Sequence, residues 1–288
     1  MSFVALMLII VSAFMHATWN YLAKRSQGGF AFVWLYMIVS TVVYAPFVAV
    51  LLFLKDVHIG WLEIGFMVGS AVIHLAYSLL LQKGYQIGDL SLVYPVCRGT
   101  GPLLVAIAAI FIYDEKLTTS GVIGIALITI SIFIITGGVQ AIKKADTVVP
   151  VLYGLLIGVV IASYTLLDKG AVSVVFIPPL LLTYGSIIVQ TMMLSPLAIR
   201  HWKDVRHEWR QHRKEAIGVG VLNQLAYILV LTAMTFTQVS YVAPVREMSI
   251  LIGTIIGSRI LSEGFGVRRV VAAGTMVVGI MAVALSGS

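Results

Sequence analysis

The chain is a succession of long, continuous apolar runs separated by short polar gaps. A helix that crosses about 30 Å of hydrocarbon needs about 20 mostly apolar residues. Lipid offers the backbone no hydrogen-bond partners, so crossings are helices or closed barrels, and runs without alternation favour helices. We predict ten membrane helices, at residues 3–22, 30–54, 61–82, 91–112, 120–138, 150–167, 176–199, 216–234, 241–261 and 270–286.

The composition fits a protein that lies almost wholly in the bilayer. Of the 288 residues, 60% are hydrophobic and 11% are charged, whereas a soluble domain is nearer half apolar and a quarter charged. Ten spans of about 20 residues use roughly 200 residues, and the remainder is too short for a soluble catalytic domain. The sequence therefore predicts an all-α polytopic membrane protein.

The excess of positive charge indicates contact with membrane lipid rather than with nucleic acid. A net charge of +7 on a soluble chain would suggest a nucleic-acid partner. Here the basic residues occupy the gaps between apolar runs, so we expect membrane lipid as a partner and no nucleic acid. Cys97 is the one cysteine, which excludes an intrachain disulfide, and no spacing of residues indicates a metal site.

Lys and Arg residues are divided unequally between the two sets of loops. Loops after odd-numbered helices hold thirteen, and loops after even-numbered helices hold three, Lys55, Lys116 and Lys169. Because positively charged loops stay in the cytoplasm, we expect a multi-pass protein of the plasma (inner) membrane with both termini outside. Six of the thirteen lie at 200–214, which we interpret as a solvated loop that determines topology. The alternative is an amphipathic surface helix or an anionic-lipid site.

The two halves of the chain resemble each other. An ordered series of short matches at a nearly constant offset indicates an internal repeat. We predict two five-helix units, residues 1–145 and 146–288. Because five is odd, the second unit enters the membrane from the opposite side, and such inverted repeats are typical of secondary transporters. The matches join 17–19 with 162–164, 74–77 with 224–227, and 91–95 with 240–244.

Paired five-helix halves, with a fourth helix that contains proline and ends at an acidic residue, resemble the EamA-type drug/metabolite transporter superfamily. The acidic residues are Asp114 and Glu115 in the first half and Glu263 in the second. The most distinctive stretch, YPVCRGTGP at 94–102, is similar to a branch sometimes associated with phosphonate utilisation. The resemblance covers nearly the whole chain and implies ten helices and small-molecule transport without ATP. Family members are usually drawn with both termini inside, whereas the loop charges place these termini outside.

Three charged residues fall well inside predicted helices: Arg98, Arg246 and Glu247. An ionised side chain at the bilayer centre costs at least about 2.5–3.5 kcal/mol, so it faces a cavity or a partner. Arg98 lies three residues after Pro95, and Glu247 lies three residues after Pro244, at equivalent positions of the two repeats. A pseudo-twofold axis is therefore expected to bring them together and to leave Arg246 uncompensated.

Arg246, together with Arg98, is a candidate site for an anionic group of a substrate. A guanidinium binds a carboxylate or a phosphonate through two hydrogen bonds, which lysine cannot do. The alternative is a structural triad of Arg98, Arg246 and Glu247 that locks helix four to helix nine; the two roles can coexist. If Glu247 is released from Arg98 in one state, it becomes a candidate proton carrier.

Polar and aromatic residues recur at helical spacing on the faces of several helices. His16 shares a face of helix one with two of them, and the pair in helix three is matched at equivalent positions of helix eight, beside Asn223. Aromatic walls with a few polar groups suit a small-molecule cavity, whereas the alternative is interhelical hydrogen bonding and packing. The candidate substrate-binding residues in this group are Trp19, Asn20, His74, Tyr77, Tyr164, Gln224 and Tyr227.

Glycine and proline add two predictions about the backbone. Helix four carries two prolines and two glycines within eight residues, 95–102, which predicts either a broken helix or a simple kink. The GxxxG spacing predicts close helix contact, either inside the bundle or between the chains of a homodimer. It occurs at Gly65/Gly69, Gly154/Gly158 and Gly253/Gly257.

Motifs for other chemistry are missing from the sequence. No GxxxxGK[ST] phosphate loop, HExxH zinc motif or loop carboxylate pair is present. We expect no enzyme and no cofactor, but a secondary transporter of a small anionic or zwitterionic metabolite. It would work by alternating access at a midplane cavity between the repeats, with a proton as candidate coupling ion. A membrane enzyme acting on a lipid-linked substrate and a non-transporting scaffold are the alternatives.

Overall fold

The computed structural model describes residues 1–26, 29–55, 57, 59–87, 90–136, 148–253 and 267–286. In this part of the chain, six helices are long and apolar enough to cross a membrane, and shorter apolar helices lie at Val96–Ile112, Thr119–Ile134 and Val270–Leu285. The helices are α1 (Phe3–Ser26), α2 (Phe30–Leu54), α3 (Trp61–Ile87), α4 (Leu90–Ile112), α5 (Thr119–Thr136), α6 (Val148–Ser173), α7 (Pro179–Arg200), α8 (Trp202–Phe236), α9 (Val239–Arg246) and α10 (Val267–Leu285). Each matches one predicted span, so the protein is an all-α polytopic membrane protein.

Several helices are longer than the sequence predicts, and two of the extensions change an interpretation. α6 continues beyond residue 167 to Ser173, so Lys169 lies in the helix and is buried rather than in a loop. α8 begins at Trp202 and leaves helical geometry at His212 (φ −125°, ψ 26°). The interpretation of 200–214 as a loop is therefore wrong. The stretch is mostly helical and amphipathic, since Val205 is buried while the charged residues Lys203, Asp204 and Arg206 are exposed.

The predicted break in the bundle lies in the ninth span rather than in the fourth. α4 is continuous from Leu90 to Ile112. α9 ends at Arg246, and the N–H of Glu247 bonds back to the carbonyl of Pro244 at 3.0 Å before helical structure resumes at 248–253. Residues 254–261 of the predicted span, together with Gly257 and Glu263, lie outside the described residues.

The helix contacts show the symmetry of two five-helix repeats. α1 packs on α8, and the equivalent helices of the other repeat, α6 and α3, also pack on each other. In the same way, the contact of α4 with α6 has its equivalent in the contact of α9 with α1. The pairs α2–α7, α4–α9 and α5–α10 join equivalent helices of the two halves. The two repeats therefore interlock across an axis between them, as inverted repeats do. The predicted boundary at 145/146 falls outside the described residues and stays a prediction.

Glycines allow three of the close helix contacts inside the bundle. A Cβ on Gly154 would lie 2.8 Å from the Val96 side chain, and one on Gly158 would meet Thr100, so this GxxxG pair packs α6 on α4. In the same way, Gly124 and Gly279 each face the other's backbone carbonyl where α5 crosses α10. Internal packing is thus the observed use of the 154/158 pair, and the homodimer stays a prediction.

The α5–α10 crossing gives a direct test of the packing. In Gly279→Ala the new Cβ would lie 2.9 Å from the Gly124 carbonyl oxygen and from a side-chain carbon of Ile128. Overpacking of this kind costs about 1–3 kcal/mol, so we expect a lower thermal unfolding midpoint in detergent. Gly274→Ala in the same helix is the matched control, because its Cβ meets nothing within 4 Å. Equal midpoints for the two variants would contradict the crossing.

Candidate functional site

A cavity of about 420 Å³ lies between the two repeats. Its walls come from all the labelled helices except α5 and α10, so both halves contribute. Aromatic rings and neutral polar groups make up much of the surface, as in many small-molecule sites. Nine of the ten residues predicted for substrate binding line it, namely Trp19, Asn20, His74, Tyr77, Arg98, Tyr164, Gln224, Tyr227 and Arg246.

The tenth predicted residue, Glu247, lies behind the wall and forms a charge cluster with Arg98 and Arg246. Arg98 Nη1 donates to Glu247 Oε1 at 3.2 Å, and Arg246 Nη2 lies 3.7 Å from the same oxygen. Glu247 is 0% exposed. The contact between Arg98 and Glu247 is the one predicted from their equivalent repeat positions, and it places them close to the pseudo-twofold axis.

Arg246 differs from the prediction because it is not wholly uncompensated. It shares the carboxylate of Glu247 with Arg98, so two cations surround one anion and one positive charge remains. Arg246 is 5% exposed and lines the cavity. Its Nε and Nη2 atoms make no hydrogen bond within the described residues. The structural triad and a cationic cavity wall are therefore present in one arrangement.

Two further residues complete the surroundings of Arg98. Its Nη2 atom lies 3.1 Å from His16 Nε2, and the His16 ring meets Trp19 edge to face with centroids 4.9 Å apart. These contacts connect α4 and α9 to α1. The guanidinium of Arg98 is thus held on one side by a carboxylate and on the other by an imidazole, which leaves Arg246 as the less restrained cation.

A second polar cluster, the Asp168 cluster, consists of Asp168, His74 and Tyr227. Asp168 Oδ2 lies 3.1 Å from His74 Nε2 and accepts a hydrogen bond from the Tyr227 hydroxyl. Tyr164 stacks on His74 with ring centroids 4.1 Å apart. Asp168 is 0% exposed, and its Oδ1 has no hydrogen-bond partner among the described residues.

The sequence interpretation missed Asp168 because it follows the predicted end of helix six and precedes a lysine, which resembles a loop. The signal was the apolar run that continues beyond the charges at 170–177. Lys169 also has its own partners inside the protein. Its Nζ donates to the carbonyls of Met234 at 2.7 Å and Thr237 at 3.0 Å, at the C-terminal end of α8.

The cavity opens toward one end of the bundle. Among its lining residues, Asn20 and Ala23 near the end of α1, and Ser78 in the second half of α3, are exposed or half-buried. By contrast, Leu182 and Val230 in the lining are each 1% exposed. We call the end where α1 and α3 finish the open end; it carries the loops after odd-numbered helices.

The opposite end, where α6 and α8 finish, is the closed end. The carboxylate of Glu115 accepts hydrogen bonds from the backbone N–H groups of Val239 at 2.8 Å and Ser240 at 3.0 Å. It thereby caps the N-terminus of α9, a favourable place for a negative charge. Glu115 thus joins α9 to the first half of the chain, and Lys169 joins the end of α8 to α6.

The charge cluster predicts that the losses of unfolding free energy on removing Arg98 and Glu247 are not additive. Glu247→Gln leaves two guanidiniums facing a neutral amide, and breaking a buried pair in this way costs about 3–5 kcal/mol. We expect the double variant Arg98→Gln/Glu247→Gln to lose less than the sum of the single variants in denaturant unfolding. The control is the pair Arg25–Glu215, 3.7 Å apart with Arg25 66% exposed, where Glu215→Gln is expected to cost at most about 1 kcal/mol. Additive losses at 98 and 247 would contradict the coupling.

Comparison with known proteins agrees with this architecture. The model of the EamA-like transporter family matches the chain twice, over residues 3–137 and 149–285. No curated protein sequence matches the chain. A crystal structure of a protein with 15% sequence identity superposes with a TM-score of 0.76 over 98% of both chains, which shows a shared fold. With one family match in each half, the chain belongs to the EamA-like transporter family.

Proposed function

We propose that this protein is a secondary transporter that moves a small anionic or zwitterionic metabolite through the cavity between its two repeats. Family membership supports transport over the alternatives of a lipid-linked enzyme and a scaffold. The observation that carries the choice of substrate is Arg246. It is a buried guanidinium in the cavity wall, with donors that make no hydrogen bond in the described part of the chain.

The chemistry of Arg246 favours a carboxylate or a phosphonate. A guanidinium presents two parallel N–H donors to such a group, and charge-assisted hydrogen bonds are the stronger kind. The positive charge left over in the cluster favours an anion in a cavity walled by protein, where charges interact more strongly than in bulk water. Tyr77, Tyr164 and Tyr227 supply aromatic surface for the rest of a small molecule.

Alternating access requires the closed end to open while the open end closes. The bonds of Glu115 to the start of α9 and of Lys169 to the end of α8 would then break. Because the helix contacts are symmetric, each repeat could adopt the arrangement that the other repeat has in this structure. Two packed arrangements related in this way are the basis of rocking-bundle transport.

We also propose that the open end faces the cytoplasm. By the sequence count, thirteen Lys and Arg residues lie at the open end and three at the opposite end. This imbalance supports both termini lying outside and a location in the plasma membrane.

Transport and the role of Arg246 are tested together in proteoliposomes. Counterflow is measured with glycine, 2-aminoethylphosphonate, succinate and ethylammonium, and we expect flux for at least one of the first three and none for ethylammonium. Arg246→Gln is expected to raise the Kd of that substrate by roughly 10- to 100-fold, because charged hydrogen bonds contribute about 1.5–3 kcal/mol. Arg246→Lys is expected to be intermediate, since it keeps the charge but not the paired donors.

Arg210→Gln is the matched control, because Arg210 is exposed on the first part of α8. It is expected to bind and transport like the wild type. Arg246→Gln with wild-type Kd would overturn the assignment of the anion site. A folded wild type that moves none of the four compounds, or only ethylammonium, would contradict the proposed function.

A further inference from the structure

We propose that the Asp168 cluster is a proton-binding site and that the transporter carries one proton together with each molecule of its anionic or zwitterionic substrate. This inference deepens the proposed function and rests on it. It assigns the coupling ion to Asp168, His74 and Tyr227, not to Glu247, which the two arginines neutralise.

The geometry of the cluster is that of a carboxylate with an imidazole beside it. Asp168 Oδ2 lies 3.1 Å from His74 Nε2 and also accepts the Tyr227 hydroxyl. These groups come from α6, α3 and α8, so both repeats contribute. The His74 side chain is 21% exposed, whereas that of Asp168 is 0% exposed. A proton that enters from the cavity therefore reaches the imidazole first.

The carboxylate of Asp168 is buried away from water. An ionised carboxylate away from water needs compensation by a charge or by several hydrogen bonds. Asp168 has hydrogen-bond partners on Oδ2 and, within the described residues, none on Oδ1. When the neutral imidazole of His74 binds one proton, an N–H bond forms and the pair changes from a net charge of −1 to zero. No other bond forms or breaks.

Two neighbouring titratable groups, Tyr113 and Lys169, have hydrogen-bond partners of their own. Tyr113 donates its hydroxyl to the carbonyl of Leu166, and Lys169 turns away to the end of α8. The other charged and titratable groups near the cluster are Tyr77 (α3), Tyr113 (after α4), Tyr164 (α6) and Arg246 (α9).

A proton fits this site better than a substrate amine or a metal ion does. Asp168 does not line the cavity, so an amine would have to displace His74 and Tyr227 to reach it. The described residues hold no group of three His, Cys, Asp or Glu side chains that could bind a metal. A proton needs no space and passes through the imidazole.

The position of the cluster explains how the proton and substrate would be coupled. His74 and Tyr227 line the same cavity as Arg246. An anion at Arg246 attracts a proton to the neighbouring imidazole, and by linkage a protonated pair binds the anion more tightly. The two ligands are therefore expected to bind cooperatively and to cross the membrane together.

Steady-state accumulation in proteoliposomes tests the proposal. The probe is whichever of glycine, 2-aminoethylphosphonate and succinate shows the fastest wild-type counterflow, with membrane potential clamped at zero. A gradient of one pH unit, acid outside, is expected to drive up to about tenfold accumulation, because one unit is a tenfold ratio of protons. Asp168→Asn and His74→Gln are expected to lower this ratio to about one. The ratio reports coupling rather than rate, so slow variants remain informative.

Asp204→Asn and His207→Gln are the matched controls, since both residues are exposed on the first part of α8; they are expected to accumulate like the wild type. A second measurement needs no variant. Addition of the probe to wild-type protein in weakly buffered detergent solution is expected to cause proton uptake of up to one proton per bound molecule. Counterflow without pH-driven accumulation, or binding without proton uptake, would overturn the proton site alone. If the wild type shows no counterflow with any of the three probes, the transport proposal and this one are both overturned.

Discussion

The carboxylate of Glu247, held between two guanidiniums inside the membrane, is the constraint on which the centre of the molecule depends. None of these three charges could lie singly in lipid without a large cost. Their mutual contact at 3.2 Å and 3.7 Å requires α4 and α9 to meet. His16 extends the contact to α1. The same requirement that brings equivalent helices together leaves one positive charge beside the cavity, so stability and anion binding share a set of residues.

The closed end shows how a transporter can hold one state without a large interface. Glu115 caps α9, and Lys169 binds the carbonyls at the end of α8, so each charge satisfies backbone groups that a helix end leaves unpaired. Such bonds are individually modest and can be exchanged for bonds to water when that end opens. The Gly124–Gly279 and Gly158–Thr100 contacts, by contrast, are close-packed. We infer that the polar contacts change between states while the close-packed ones persist.

Much of the fold could be predicted because lipid imposes a simple rule on the backbone. Continuous apolar runs predict ten spans, and nine of them correspond to one helix each, while the described part of the ninth is interrupted at Glu247. The offset between repeats was enough to predict that Arg98 meets Glu247, since equivalent residues converge at a twofold axis. The cavity wall followed from polar and aromatic residues at helical spacing, although their role in binding remains a prediction.

The failure at Asp168 and Lys169 has a physical cause: in the sequence, a charge near a helix end looks the same whether it is solvated or bound inside the protein. Asp168 and Lys169 were read as loop residues because their partners, His74 and the end of α8, are distant in sequence. The basic stretch before His212 was read as a loop because amphipathic helices at a membrane surface lack a long apolar run.

The cavity itself is tested most directly by thiol labelling in a Cys97→Ala background. Ser78 and Leu79 lie at the same depth in α3, but Ser78 lines the cavity while Leu79 is 57% exposed on the outer surface of the bundle. A hydrophilic, membrane-impermeant maleimide is expected to react with Ser78→Cys from the open end alone, and not with Leu79→Cys in lipid. Equal labelling at both positions, or labelling of Leu79→Cys only, would contradict a water-filled passage between the two repeats.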